Sequence, residues 1–277
     1  LRNPSALMWM AKIKHVDQYT MEHGLNVCIL AIAFGRHLRL EEEELVKLGV
    51  GGMLHDVGKM QIPDEILNKP AKLSEEEFAE VKKHPEIGRN LLMKSEESMS
   101  YAVDVALNHH EQIDGQGYPR GLFAKELSQY SRIIAVVDAF DAMTSDRCYD
   151  VARSTLDALK EIYRNRGKHF DEELALEFIQ LMGPYPPGTI VELNNGHVGI
   201  VLSSQEKKRH LPQVRVVLDK DKNTMQEEIV DLLGVERGML PRDWLIRKVL
   251  KDGDHGICLE EYPVRTVLAA MVPNEEV

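Results

Sequence analysis

Residues 108–122, NHHEQIDGQGYPRGL, place two adjacent histidines at the end of an apolar-periodic segment and follow them with a turn. Neighbouring side chains on an α-helix point about 100° apart, so His109 and His110 converge on one point only where a helix ends or bends. The Asp114–Gly115 pair is typical of such an end. This stretch therefore predicts a helical fold in which paired histidines reach one shared point.

The stretch HDVGK, residues 55–59, has the same arrangement. His55 and Asp56 close an apolar-periodic segment directly before Gly58, a residue that interrupts helices. Lys59 follows His55 by four residues, and on a continuing helical turn it would face the same side. A second histidine-containing pair is thus predicted at a second helix end.

Three further residues, His23, His84 and Asp138, lie beside apolar residues in other helical segments. A buried carboxylate without a partner is costly, so Asp138 needs either a salt bridge or a metal ion. A single histidine such as His23 is equally well explained as a hydrogen-bonded core residue. The seven residues together favour a metal site, because the alternative of a structural hydrogen bond or salt bridge must otherwise hold separately for each of them.

The ligand types narrow the choice of metal. Imidazole and carboxylate groups suit iron, manganese, nickel or zinc, and nearby cysteines are absent from these stretches. Seven ligands are too many for one ion and suit two ions that share a bridging carboxylate. The pattern thus predicts a two-metal site in a helical domain.

Composition limits the classes of partner. The chain has 277 residues, 43% of them hydrophobic and 29% charged, which is ordinary for a globular protein. Its net charge of -11 and the lack of a basic stripe argue against a nucleic-acid polymer as partner. Three widely separated cysteines, Cys28, Cys148 and Cys258, predict no disulfide framework and favour a reducing, cytoplasmic location. No apolar run is long enough for a transmembrane segment.

The chain changes character at GPYPPG, residues 183–188, because three prolines and two glycines cannot continue a helix. Residues 1–183 are predicted to be a helical domain, with a capping box at Ser74 and Glu77 opening one helix. Residues 184–277 are predicted to be a small β-containing module. There, NNG at 194–196 separates two short apolar stretches and indicates a hairpin, and QVRVVLD at 213–219 is a third strand. The fold class is therefore mainly α with a small β-rich C-terminal module.

HDVGK followed by HHEQIDGQGYP resembles the HD-GYP family, a subgroup of the HD-domain metal-dependent phosphohydrolases. The resemblance extends from about His23 to about Phe178 and includes YTMEHGLNV, KKHPEIG, RIIAVVDAFDAMTSDR and GKHFD. It implies an HD-type helical bundle that hydrolyses the bacterial second messenger cyclic di-GMP to pGpG, with further cleavage to GMP left open. In that mechanism two metal ions hold a bridging hydroxide, since metal binding lowers the pKa of water from 15.7 toward roughly 7.

The resemblance also assigns the ligands. Two divalent ions are implied, with iron or manganese expected and nickel or zinc as alternatives. Some family members hold a third metal with a glutamate one turn before the first histidine, where this chain has Tyr19. One ion would be held by His23, His55, Asp56 and Asp138, and the other by His84, His109, His110 and the shared Asp56.

Other residues are implied to act on the substrate. Asp56 and Lys59 would be catalytic, with Lys59 facing the substrate phosphate, and Arg147 would help to hold the nucleotide. Tyr118 would either shape the loop or contact substrate or a protein partner. Glu111 and Asp114 are expected to accept hydrogen bonds from N–H groups of the ligating histidines.

Two alternatives stay open from the sequence. The family often has a basic residue where this chain has Asp150, which allows another cyclic dinucleotide or a nucleotide as substrate. The other alternative is a metal-containing, non-catalytic signalling module that binds a protein partner through the GYP loop, residues 117–119. Neither the oligomeric state nor the regulatory input follows from the sequence.

Overall fold

The computed structural model describes residues 18–94, 99–145, 153–205 and 208–262. The chain divides into two compact units, Leu1–Leu181 and Met182–Val277. Each unit is described by itself below. The first is helical and the second is a small antiparallel sheet, so the expected fold class is confirmed.

Nine α-helices are described between residues 18 and 182. They are α1 Gln18–His37, α2 Glu42–Leu54, α3 Asp64–Leu67, α4 Glu75–Val81, α5 His84–Met93, α6 Ser100–Asn108, α7 Gln129–Thr144, α8 Thr155–Asn165 and α9 Glu172–Met182. Among the described residues, no helix has the length and apolar character needed to cross a membrane.

Local sequence explains several helix starts. Ser74 accepts a hydrogen bond from the backbone N–H of Glu77, whose side chain in turn accepts from the Ser74 N–H, so the expected capping box opens α4. Ser154 caps α8 through the N–H of Asp157 in the same way. These caps satisfy N–H groups that a helix start otherwise leaves without partners.

Small residues let α1 and α2 approach closely. A Cβ added at Gly24 would lie 3.0 Å from the carbonyl oxygen of Met53, and one at Gly52 would lie 3.3 Å from a methyl group of Val27. The residues His23 and His55 neighbour this contact in the chain. The close approach therefore sets the spacing of the first two histidines.

Helix α2 does not continue past His55 as far as Lys59. Helix α2 ends at Leu54 with His55 as its C-cap, and residues Val57–Gln61 form a separate 3₁₀-helix. The prediction that Lys59 continues the helical face of His55 is therefore wrong. Gly58 is the reason, because it brings the 3₁₀-helix against the backbone of α5.

The second unit contains a five-stranded antiparallel sheet with the strand order β4-β3-β2-β1-β5. The expected hairpin at residues 194–196 joins β1 to β2, and the expected third strand is β3. Residues 224–250 add β4, a short helix α10 and β5. The bounds are β1 Ile190–Leu193, β2 Val198–Ser203, β3 Gln213–Leu218, β4 Thr224–Asp231, α10 Leu233–Glu236 and β5 Ile246–Leu250.

Candidate metal centre

Five segments of the helical unit bring all seven predicted ligands to one place. Helix α1 supplies one histidine, the end of α2 a histidine and an aspartate, the start of α5 one histidine, the end of α6 two histidines, and the middle of α7 one aspartate. Their ligand atoms form two groups, within each of which the atoms lie no more than 4.8 Å apart. The groups are His23, His55 and Asp138, and Asp56, His84, His109 and His110.

Asp56 lies between the two groups and turns one carboxylate oxygen to each. Its Oδ2 lies 3.3 Å from Nε2 of His55 and 3.7 Å from Nε2 of His23. Its Oδ1 lies 3.2 Å from Nε2 of His84 and 3.6 Å from Nε2 of His109. A carboxylate in this position can bridge two ions.

Four of the imidazoles are oriented by a hydrogen bond from Nδ1. His55 donates to the carbonyl oxygen of Gly52 at 2.6 Å, and His84 donates to that of Val81 at 2.7 Å. His109 makes the same kind of bond within its own helix, and His23 donates to Asp141 Oδ2 at 2.7 Å. The Nε2 atoms consequently face the interior, as is usual for histidines that hold metal.

Buried atoms without partners show that the site fits metal ions. Nε2 of His55 and Oδ1 of Asp56 are buried and make no hydrogen bond of acceptable geometry with the described residues, even though His84 lies 3.2 Å from the latter. Burial of unsatisfied polar atoms is costly, and a cation would satisfy both. The imidazole and carboxylate donors suit first-row divalent metals.

Protonation of the site also suits cations. Burial lowers the pKa of His109 to about 4 and holds the pKa of His110 well below its ordinary range. Both are neutral at pH 7, the form that binds metal. Burial also lowers the pKa of His23, but hydrogen bonds to Asp138 and Asp141 outweigh it and raise the pKa to about 9. A metal ion at His23 would therefore displace a proton.

Lys59 reaches the site through the 3₁₀-turn. Its backbone N–H donates to the carbonyl oxygen of Asp56 at 2.9 Å, and its Nζ lies 2.5 Å from Asp56 Oδ2. Burial raises the pKa of Asp56, yet the charges of Lys59 and His55 hold that pKa well below its usual range. Asp56 is therefore ionised, and Lys59 supplies part of the compensating charge.

A contact between two backbones holds Asp56 beside His84. A Cβ added at Gly58 would lie 1.9 Å from the carbonyl oxygen of His84 and 2.6 Å from the amide nitrogen of Gly88. Only glycine permits this approach, which places the 3₁₀-helix directly on the first turn of α5.

Gly58→Ala is expected to lower the free energy of unfolding by about 1–3 kcal/mol, because the added methyl group meets backbone that cannot rotate aside. Urea unfolding of the whole chain measures this. Gly51→Ala is the matched control, since its Cβ would meet only the Val105 side chain, at 3.1 Å. Equal losses in the two variants would contradict the proposed importance of the Gly58 contact.

The loop after His110 packs against the second group. The rings of Tyr118 and His110 are stacked with centroids 4.7 Å apart, and the Tyr118–Pro119 peptide is cis. The backbone N–H of Tyr118 donates to the carbonyl oxygen of His110 at 3.2 Å. Tyr118 therefore forms part of the wall of the site.

Glu111 has a different role from the expected one. It is buried, and its two oxygens accept hydrogen bonds from the backbone N–H groups of Arg120 and Leu122, at 2.7 and 2.9 Å. Asp114 accepts from the N–H of Gln116 at 3.0 Å. The expectation that these acids hold histidine N–H groups is wrong, because both organise the loop backbone instead.

The structure adds site residues that sequence analysis missed. Asp141 orients His23, and its spacing of three residues from Asp138 on α7 could have indicated the shared face. Thr20, one turn before His23, and His169 line the cavity described next. His169 belongs to a loop between α8 and α9 and lies in GKHFD, a stretch that the family resemblance included without giving this histidine a role.

Two expectations fall outside the described residues. Arg147 lies in the segment 146–152, and the side chain of Tyr19 is likewise outside the described part. Their assignments stay predictions.

Both groups open onto one cavity of about 350 Å³. Its described lining contains the acids Asp56 and Asp138 and one lysine, Lys59, and includes no cysteine. Apolar side chains from the segment 66–81 also line it. A small anionic ligand entering here would meet the two candidate metal positions and the Lys59 ammonium together.

Comparison with known proteins agrees with this geometry. The family described as HD domain matches residues 9–174. The chain belongs to the HD-domain family. The HD-GYP resemblance of its motifs is thereby supported at the family level, and a family described as KOW domain associated with HD domain matches residues 190–237.

Relatives with assigned names include two cyclic di-GMP phosphodiesterases. One, from Pseudomonas aeruginosa, is 40% identical over 84% of this chain and 56% of its own length. The other, a response regulator from Xanthomonas campestris pv. campestris, is 44% identical over 48% of this chain and 36% of its own length. The chain thus spans only part of these HD-domain relatives.

Two further comparisons concern other cyclic dinucleotides. A 3′3′-cGAMP-specific phosphodiesterase of Vibrio cholerae is 38% identical over 52% of this chain and 34% of its own length. The HD domain of the L. monocytogenes phosphodiesterase PgpH, crystallised with cyclic-di-AMP, matches with a TM-score of 0.50. It covers 63% of this chain and 92% of that one at 18% identity, so this likeness concerns the fold alone.

Proposed function

We propose that this chain hydrolyses cyclic di-GMP to pGpG and then GMP. The observation that supports this most directly is the pair of histidine–aspartate groups that meet at Asp56 inside one cavity. The names of the Pseudomonas and Xanthomonas relatives support the choice of substrate.

We assign Asp56 to both ion positions. The first ion would be held by Asp56 together with the group of α1, α2 and α7, and the second by Asp56 together with the group of α5 and α6. When bound, such divalent ions lower the pKa of water toward roughly 7 and neutralise charge on a phosphodiester. The first position comprises His23, His55, Asp56 and Asp138, and the second comprises Asp56, His84, His109 and His110.

The side chains around the ions have separate tasks. Asp141 holds His23 so that its Nε2 faces the first position. Lys59 places an ammonium group at the edge of the same position, where it can offset charge that grows on a phosphoryl oxygen. Tyr118 closes the second position by stacking on His110, and the apolar wall limits the access of water.

The electrostatics explain why cations are needed for this substrate. Cyclic di-GMP carries two phosphodiester charges, whereas the chain has a net charge of -11 and the cavity contains two buried carboxylates. Bound divalent ions reverse the local sign of charge. An acidic chain can then hold a dianion.

Turnover of a cyclic dinucleotide panel followed by chromatography tests the function. The metal-loaded chain is expected to convert cyclic di-GMP faster than 3′3′-cGAMP or cyclic-di-AMP. The Vibrio relative makes 3′3′-cGAMP the second candidate substrate. Metal binding without turnover of any member would instead support a non-catalytic module that binds a protein partner through residues 117–119.

We expect two metal ions per chain, with iron or manganese the favoured occupants over nickel or zinc. Tyr19 stands where a third-metal glutamate would be needed, and the described carboxylates form only two groups with the histidines. Elemental analysis of protein purified without air measures the stoichiometry. Three ions in one cluster, found reproducibly, would overturn this expectation.

A further inference from the structure

One wall of the cavity carries an exposed aromatic ring next to a lysine. Phe78 on α4 lines the cavity, yet its side chain remains 46% exposed. The Nζ of Lys82 lies 4.7 Å from the centre of the Phe78 ring and 5.2 Å from that of the Tyr118 ring. The Tyr118 ring in turn stacks on His110, so these groups form a continuous row that starts at the second metal group.

Burial in the protein core does not explain the position of the Phe78 ring, because the side chain is 46% exposed. The ring also borders a second hollow, lined by residues 71–75. Exposing a large ring to water is unfavourable, and its position beside a deep cavity is typical of ligand contact.

Pairing with an acidic side chain does not explain the position of the Lys82 ammonium group either. Three neighbouring lysines have acidic partners: Lys59 with Asp56, Lys69 with Glu77, and Lys83 with Glu80. Within the described ranges 18–94, 99–145, 153–205 and 208–262, Lys82 makes no salt bridge, and its Nζ lies over the two rings. Lys82 does not itself line the cavity, but its ammonium group lies beside two rings that do.

We propose that Phe78 and Lys82 form the purine subsite of this cavity and favour guanine over adenine. The proposal rests on the proposed hydrolysis of a cyclic dinucleotide. Phe78 offers a face on which a base can stack. Lys82 can donate to the O6 and N7 acceptors of guanine, whereas adenine presents an amino donor in place of O6.

The position suits the substrate chemistry. A base stacked on Phe78 lies on the same wall as Tyr118, which contacts the second metal group. The base and the phosphodiester of one substrate would then occupy the same cavity, whose lining includes both Phe78 and the candidate ligands. Stacking on the Phe78 ring would contribute affinity for any base, whereas hydrogen bonds from the Lys82 ammonium would discriminate between bases.

Steady-state kinetics of three variants test the subsite. Phe78→Ala is expected to lower kcat/KM for cyclic di-GMP about 10–100-fold, mainly through KM, because one base loses its stacking surface. The decrease in kcat/KM should be clearly larger for cyclic di-GMP than for methyl p-nitrophenyl phosphate, a phosphodiester without a base. Lys82→Met keeps the apolar stem and should lower the preference for cyclic di-GMP over cyclic-di-AMP about tenfold. Lys83→Met, beside it but paired with Glu80, is the control and should leave that preference unchanged.

Calorimetric titration of the metal-loaded protein with GMP and AMP separates this inference from the proposed function. Tighter binding of GMP that weakens in Phe78→Ala and Lys82→Met would support the subsite even if no cyclic dinucleotide is turned over. GMP binding that is equal in all variants would overturn the subsite. Turnover of cyclic di-GMP with unaltered base preference in Lys82→Met would overturn the choice of guanine while leaving the hydrolase intact.

Discussion

Asp56→Ala is expected to abolish hydrolysis and to lower the metal content of both positions while the helical fold survives. Each oxygen of Asp56 faces a different histidine group, so one substitution removes a ligand from each. No other described residue lies between the groups in this way. The substitution also removes the ion pair between Asp56 and Lys59.

Metal content, circular dichroism and turnover measured on one preparation test this prediction. Asp157→Ala is a suitable control, because that aspartate is exposed on α8 and pairs only with surface groups. The control should keep both metals and full turnover. Full turnover by Asp56→Ala with both metals present would refute the two-metal assignment.

Lys59→Ala is expected to reduce turnover about 10²–10³-fold, the usual cost of removing one preorganised electrostatic stabiliser. Metal content should stay unchanged, because the ammonium group cannot act as a ligand while protonated. The substitution removes the positive charge closest to Asp56 Oδ2, where we expect the substrate phosphate to approach.

Measurement of kcat and metal content on the same sample distinguishes the outcomes for Lys59. Lys83→Ala provides the control, since Lys83 pairs with Glu80 and does not line the cavity. Normal turnover in Lys59→Ala would remove this lysine from the mechanism. Loss of metal would assign it a structural role in neutralising Asp56.

Much of the helical unit follows from short-range chemistry, which a sequence records directly. Ser74 and Ser154 open helices because their side chains accept backbone N–H groups that the helix leaves free. The pairs at 55–56 and 109–110 stand at helix ends because turns follow them within a few residues. The chemical type of a metal ligand is a property of a single residue, so the sequence predicted seven metal-binding side chains. The hairpin at 194–196 was predicted from its turn residues.

Contacts between distant segments could not be obtained in this way. The sequence could not show that Asp56 turns one oxygen to each group, because that depends on the packing of Gly58 against α5. It assigned Glu111 to the histidines, whereas the folded loop offers that buried carboxylate two closer backbone donors. Nothing in the sequence gave a role to Phe78 or to Lys82, the first residue of KKHPEIG, and Lys82 meets Tyr118 only through the packing of segments more than 30 residues apart.

By itself, then, the sequence determined which residues can bind metal, where helices begin and end, and that a β-containing module follows. The tertiary structure decided which oxygen of Asp56 faces each ligand group, which atoms orient the ligands, and what forms the cavity wall. The physical reason is the range of the interactions involved. Caps, turns and helix periodicity act over a few residues, whereas burial and close packing join residues more than 100 positions apart, such as His23 and Asp138.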